Sequence, residues 1–423
     1  MSSLFLFSNL KQRFYFLVLL LFIGSGTLGF KYYSYNLLKT QNNPQINAQV
    51  LLHYYKNNAK GQSYSVLKLK SDFGVFYTTS KEDLKNLQNR EIKLNVIFKK
   101  VSFYEYLKGF YAPSFNIILL PYSKNFLREF ILKAHKEKIM GEFYATLFLA
   151  DSLPKPWRDL AQSYGISHLF AISGFHIGIL SGVLFFVLGF FYTPLQKRFF
   201  PFRNRHYDIG FLVVLVLLGY YFVLGVSPSY LRALAMAMVV FFLFFRGVEL
   251  LKIEMLFWCV LVLLAFFPQL IFSVGFYFSS LGVLYIYIFI KFHKVPKNRM
   301  GKIKYGIFLN LSIFFLMGIV VYYFFPYFSP LSLHGVWITL VFSLYYPLSL
   351  LLHFIGFGDI LDSLLLYWLS FPTKIILLEP SFWLFVLCNL LSLLAIFFRI
   401  CFYGLIGLNF AYYCYGMYCY FVF

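Results

Sequence analysis

A chain of 423 residues that is 60% hydrophobic, 23% aromatic and only 13% charged, with mean hydropathy +0.72, lies outside the composition of soluble globular proteins. It fits a polytopic α-helical membrane protein built from spans of about 20 apolar residues. The formal net charge of +21 favours an anionic partner or an anionic lipid surface.

Lys11 and Arg13 precede an apolar run from Phe14 to about Phe30. The run is long and no A-x-A cleavage site follows, so residues 1–30 read as an uncleaved transmembrane anchor with its basic flank in the cytoplasm. Short β-prone runs follow within 31–121: Ile46–Tyr55, Tyr64–Lys70, Gly74–Thr79, Ile92–Val101 and Asn116–Leu120, separated by turn-rich breaks. Five short strands in this length predict a small extracytoplasmic β-barrel of OB-like type. Residues 31–140 contain 18 Lys/Arg against 7 Asp/Glu, about half of the excess positive charge. Aromatic residues alternate with these cations, which is the pattern of a single-stranded nucleic-acid surface. The residues expected to contact DNA there are Tyr54, Tyr55, Lys68, Lys70, Tyr77, Lys99 and Lys100.

Residues 122–165 are expected to form amphipathic helices in the membrane interface, or helices packed on the domain; Phe126, Leu127, Phe130 and Ile131 share one side. From 166 to 400 the sequence predicts a channel domain with spans near 166–192, 209–226, 229–245, 254–272, 275–290, 305–325, 335–355, 360–378 and 382–398. An apolar C-terminal segment, 401–423, is long enough for a last span. Loops 197–208, 246–252 and 291–304 hold twelve Lys/Arg between them, whereas the breaks at 226–229, 272–275 and 326–335 hold none. The positive-inside rule then puts those loops in the cytoplasm and residues 31–165 outside, on a multi-pass protein of the cytoplasmic (inner) membrane.

Polar groups inside apolar spans are expensive and usually mark a pathway. The segment Gly165–Gly178 holds His168, Ser173 and His176 among apolar residues. Gly174, Gly178 and Gly182 repeat every four residues and are expected to let another helix approach closely. Ser173 and His176, three apart, share a face; they either line a polar path or bond to neighbouring helices. In the segment 225–233, Ser227 and Pro228 read as N-cap and first helical position. Arg232 then lies one turn into a span, where its guanidinium either snorkels or faces phosphate. Ser273–Ser280 places hydroxyls, among them Ser279, inside another span. The five cysteines all lie in apolar runs and read as small hydrophobic residues; no Cys/His cluster indicates a metal.

Three of these stretches together resemble the ComEC competence family of inner-membrane DNA-uptake channels. His168–Gly178 is similar to the family pattern H-L-L-A-I-S-G-L-H-I-G, Pro228–Met236 to P-S-x-x-R-A-x-x-M and, less well, Gly275–Ser280 to G-F-x-L-S-F, in the same order and spacing. The resemblance covers about 140–360, and 45–120 more loosely. It implies transport of single-stranded DNA across the cytoplasmic membrane during natural transformation. His168, Ser173, Gly174, His176, Gly178, Ser229, Arg232 and Ser279 would then border the DNA path. It also implies partners: single-stranded DNA, membrane lipids, and separate competence proteins for delivery and for an ATP-driven motor, since the chain has no Walker motif. Many family members end in a metallo-β-lactamase-like domain; this sequence has no HxHxDH motif, and a short form of the family is expected, with no enzymatic activity, no cofactor and no metal. The cysteine-free external domain does not permit the disulfide found in some members. Two alternatives share the intramembrane polar residues. A small-molecule or lipid transporter has no need of so basic an external domain. An intramembrane serine hydrolase using Ser173 with His176 or His168 lacks an acidic orienter in the same span.

Overall fold

The structure, a computed structural model, describes residues 9–57, 63–80, 87, 90–120, 126–224, 228–245 and 253–422. It divides into two compact units. One joins Phe5–Phe130 with Trp258–Tyr277; the other is built mainly of Ile131–Phe257 and Phe278–Phe423.

The first unit begins with α1 (Leu10–Thr40), a single 31-residue helix that runs straight through the expected anchor boundary. Strands β1 (Gln45–Asn57), β2 (Ser63–Ser71), β3 (Gly74–Ser80) and β4 (Glu91–Val96) follow. Then come α2 (Phe103–Lys108), β5 (Phe110–Tyr111), β6 (Ser114–Leu119) and α3 (Phe126–Lys133). The sheet order is β5-β3-β2-β1-β4-β6, antiparallel except for the β3–β5 pair. Period-two alternation sends Leu67, Leu69, Phe76, Ile92 and Leu94 into the core. Tyr35 and Leu38 at the end of α1 are buried in that same core, and the Tyr35 hydroxyl donates to the Val101 carbonyl at 2.9 Å. A capping box starts α2: Ser102 and Glu105 bond reciprocally, and the Ser102 N–H and hydroxyl hold the Glu105 carboxyl below its usual range. The expected strands are present. Among the described residues, however, no ladder joins β5 to β6, so the domain is a small mixed sheet and not a closed barrel.

The second unit is helical. It contains α4 (Lys138–Leu149), α5 (Lys155–Ser163), α6 (Gly174–Phe199), α7 (Arg205–Val223) and α8 (Pro228–Phe245). Helices α9 (Ile253–Phe266) and α10 (Val274–Phe292) straddle the unit boundaries. The trailing part of α9 packs on α1 in the first unit, where the Thr27 hydroxyl donates to the Ala265 carbonyl at 2.7 Å. The rest are α11 (Arg299–Phe324), β7 (Tyr327–Phe328), α12 (Gly335–Phe354), α13 (Asp362–Leu369), β8 (Ile376–Leu377), α14 (Phe382–Ala395) and α15 (Arg399–Val422).

Among the described residues six helical segments are long and apolar enough to cross a membrane: Leu10–Thr40, Gly174–Phe199, Arg205–Val223, Val274–Phe292, Arg299–Phe324 and Pro330–Phe354. The expected span 360–378 is not one helix. It breaks after the eight residues of α13, and β8 pairs with β7 instead; Pro372, which cannot donate to a helix, lies in the break. The stretch 131–165 is packed into the protein rather than lying free on its surface. Nine of the twelve α4 residues are buried, and Trp157 of α5 is fully buried among Phe143 and Trp368. The C-terminal helix α15 belongs to this core. Its Asn409 Oδ1 accepts from the Ile319 N–H at 2.7 Å, and Gly416 lies so close to Phe328 that a Cβ there would be 2.6 Å from the ring.

Candidate functional site

The first motif folds as a corner rather than as the first turns of a span. Gly165 adopts φ +65°, a 3-10 turn follows at Ser167–Leu169, and α6 begins only at Gly174. Ser173 is the N-cap. Its Oγ accepts from the Phe175 N–H at 3.3 Å, while its own N–H donates to His176 Nδ1 at 3.3 Å; the two side chains also meet, Oγ to Nδ1, at 3.3 Å. The sequence pair is therefore brought together, as a capping box with His in the position normally held by Glu or Gln. His176 is 2% exposed, edge-on to Phe342 at 5.3 Å and to Tyr346 at 5.0 Å. Because Nδ1 accepts, the proton sits on Nε2, which has no hydrogen bond of normal geometry among the described residues.

His168, Gly174 and Gly178 are exposed. A Cβ built at Gly174, Gly178 or Gly182 meets nothing within 4 Å. Among the described residues no helix packs on the glycine stripe, contrary to the expectation of a close helix crossing; Ile177 and Ile209 pack on another side of α6. The motif thus presents two faces: one anchored by the buried His176, one open and lined by small residues.

Of the second motif, Ser227 lies outside the described residues. Pro228 is the first residue of α8, as its fixed φ favours. Ser229 and Arg232 are on its first turns, and the side chains of both lie outside what is described. Between them Tyr230 is fully buried and donates to the Leu217 carbonyl at 2.8 Å, which ties α8 to α7. Ser279 is half-buried within the second turn of α10, beyond the Ser273 hydroxyl that caps the Phe276 N–H at 3.2 Å.

In the sheet domain, four of the seven expected DNA contacts share one face. Lys68 pairs across strands with Tyr77, and its ammonium lies 5.6 Å over that ring; Lys70 follows two residues on, and Tyr54 pairs with Val66 of the same alternation. Burial lowers the proton affinity of the Lys70 ammonium. Tyr55 pairs with Ser65, on the opposite face, and Lys99 and Lys100 are exposed in the turn after β4.

Sequence reasoning missed one polar cluster. His135, in the turn between α3 and α4, lies 218 and 227 residues from its partners His353 and Asp362. Nothing in local spacing announces it.

These features define a multi-helix membrane protein with a basic mixed-sheet domain and a capped, glycine-lined corner at the head of α6. The competence protein family matches residues 147–420, which takes in the corner, α8 and α10. The chain belongs to that family, of ComEC type. It is also 29% identical over 181 residues to an uncharacterized protein of Aquifex aeolicus (strain VF5); the alignment covers 41% of this chain and 40% of that protein, so the chain spans less than half the length of this curated relative. No solved structure matches.

Proposed function

We propose that the protein carries single-stranded DNA across the cytoplasmic membrane during natural transformation. The observation that supports this most is the family match over 147–420, which includes all three motif segments. Two physical features agree with it. A strand of phosphates and bases needs cations and rings together, and Lys68, Lys70, Tyr77 and Tyr54 supply them on one face. A polar strand at membrane depth needs a surface it can approach closely, and the open Gly174–Gly178–Gly182 stripe beside His168 offers one. In this proposal Ser173 and His176 shape the corner, while His168, Gly174, Gly178, Ser229, Arg232 and Ser279 border the path.

The sheet domain is proposed to be OB-like in type, its outer strands brought near each other by a short link rather than by a closing ladder. β5 and β6 occupy opposite outer positions and are joined only by Ala112 and Pro113; the Ala112 N–H donates to Tyr77 and the Pro113 carbonyl accepts from Ile97, so this link touches both edges. The domain is proposed to lie outside the membrane, by the charge asymmetry of the loops. The protein acts as a conduit, without enzymatic activity, cofactor or metal, and relies on separate proteins for DNA delivery and an ATP-driven motor.

The test is a deletion strain scored for transformation with periplasmic DNA uptake measured separately. Loss of transformation with uptake retained is the expected result; loss of uptake as well moves the function to an earlier step. Full-length protein in nanodiscs should bind oligonucleotides without sequence preference, with affinity falling steeply as salt rises.

A further inference from the structure

We propose that His135, His353 and Asp362 form a proton-binding site in which one shared proton fastens the α3–α4 turn to the corner between α12 and α13. The three side chains make a single buried chain. His135 Nδ1 lies 2.9 and 3.1 Å from the two Asp362 oxygens, and His135 Nε2 lies 3.1 Å from His353 Nε2. His353 Nδ1 is 2.7 Å from the Ser349 carbonyl oxygen. His135 is 8%, His353 5% and Asp362 9% exposed, so water has little access to relieve a mismatch.

The protons can be counted from these contacts. A carbonyl only accepts, so His353 Nδ1 carries a proton and, in the neutral ring, its Nε2 is a lone pair. His135 Nε2 must then carry a proton to bond to it. That leaves His135 Nδ1 facing a carboxyl group, and one proton is needed between them. It rests either on Nδ1, with Asp362 ionised, or on Asp362, with His135 neutral. Remove that proton and a lone pair faces a carboxylate. Add another, on His353 Nε2, and two N–H groups face each other at 3.1 Å. The arrangement is satisfied at one proton count and is opened from both sides.

The charged chain neighbours of His135, namely Lys133, Lys136, Glu137 and Lys138, are exposed to solvent. The Tyr144 ring stacks flat on His135 at 4.6 Å, and its hydroxyl accepts from Tyr345 at 3.1 Å. Burial pushes the Asp362 carboxyl up, His135 opposes this, and the nearby Asp359 adds to it. Gly358 allows the approach: a Cβ there would stand 3.0 Å from His353 Nε2 and 3.3 Å from Ala134. His and Asp chains buried in membrane proteins are the usual material of proton relays, and a coupled group of this kind titrates as a unit.

Two substitutions separate the limbs. In Asp362→Asn the amide N–H donates permanently to His135 Nδ1, so no proton remains to be lost. In His353→Gln the amide oxygen accepts from His135 Nε2 and does not protonate. Thermal unfolding of full-length purified protein is measured from acid to alkaline pH. The wild type is expected to peak and to fall on each side by on the order of 5 °C. D362N should lose the alkaline fall and keep the acid one; H353Q should do the reverse. Identical profiles for all three proteins overturn the site. If neither variant folds, ring-nitrogen NMR of the wild type decides. The site requires a protonated His135 Nε2 opposite an unprotonated His353 Nε2; His135 protonated on Nδ1 alone refutes it. No DNA enters this experiment, so its outcome is independent of the transport proposal.

Discussion

Replacing His176 separates a capping role from a role in contact with DNA. In His176→Ala three contributions disappear together. The cap bond from the Ser173 N–H is worth about 1 kcal/mol. The edge contacts to Phe342 and Tyr346 are worth about 0.5–1.5 kcal/mol per pair. The cavity left at a 2% exposed site adds about 1–2 kcal/mol after partial collapse. The loss should therefore be about 3–6 kcal/mol. His176→Gln keeps an acceptor at the position where capping boxes use Gln, so it should recover the cap and part of the volume and lose only about 1–2 kcal/mol. The assay is thermal stability of full-length protein by size exclusion, beside transformation frequency divided by membrane abundance. Gln well above Ala in stability, with near-normal transformation per folded molecule, is the expected pattern. Equal losses for Gln and Ala would refute the capping role. A stable Gln variant that does not transform would show that the imidazole itself meets the DNA.

Gly178→Leu should leave membrane abundance unchanged, because a Cβ there meets nothing within 4 Å, yet reduce transformation if that face borders the path; wild-type transformation would assign the stripe to lipid. Gly416→Ala should destabilise by about 1–3 kcal/mol or more, read as lost abundance, since its Cβ would fall 2.6 Å from Phe328 and 2.8 Å from Leu378. Tyr77→Ala should weaken oligonucleotide binding by about 1–3 kcal/mol. Lys68→Gln should flatten the salt dependence by about 0.7 in log–log slope; an unchanged slope removes Lys68 from the interface. Reporter fusions at Asn58 and Asn298 should report opposite compartments, and the same compartment for both would overturn the orientation.

Features carried by local patterns are legible in the sequence. The strand alternation within 46–120 and the start of α8 at Pro228 follow from period and turn chemistry, and the described residues have them. No charged residue interrupts 166–196, so hydropathy starts α6 too early, whereas the helix waits for the Ser173–Gly174 cap. The glycine spacing shows that a surface is small, not what lies against it, and so suggests a helix contact that is not made among the described residues. Composition groups Tyr54 with Tyr55 because both are aromatic, yet neighbours on a strand face opposite ways. His135 is invisible for a different reason: its meaning is created by His353 and Asp362, and only tertiary packing brings them within hydrogen-bond range.

The length of α1 has a mechanical consequence. Thirty-one residues extend about 46 Å, against a hydrocarbon layer of about 30 Å. About ten residues are left beyond it, and these include Tyr35 and Leu38, whose side chains are part of the sheet domain's interior. The domain is therefore mounted on α1 as on a stiff mast, with no flexible tether between Gly29 and Tyr35. Its azimuth about the helix axis is set by residue count alone. A single residue inserted there would turn the Lys68–Tyr77 face by about 100° and raise it by only about 1.5 Å, so the bearing of that face is fixed far more tightly than its height.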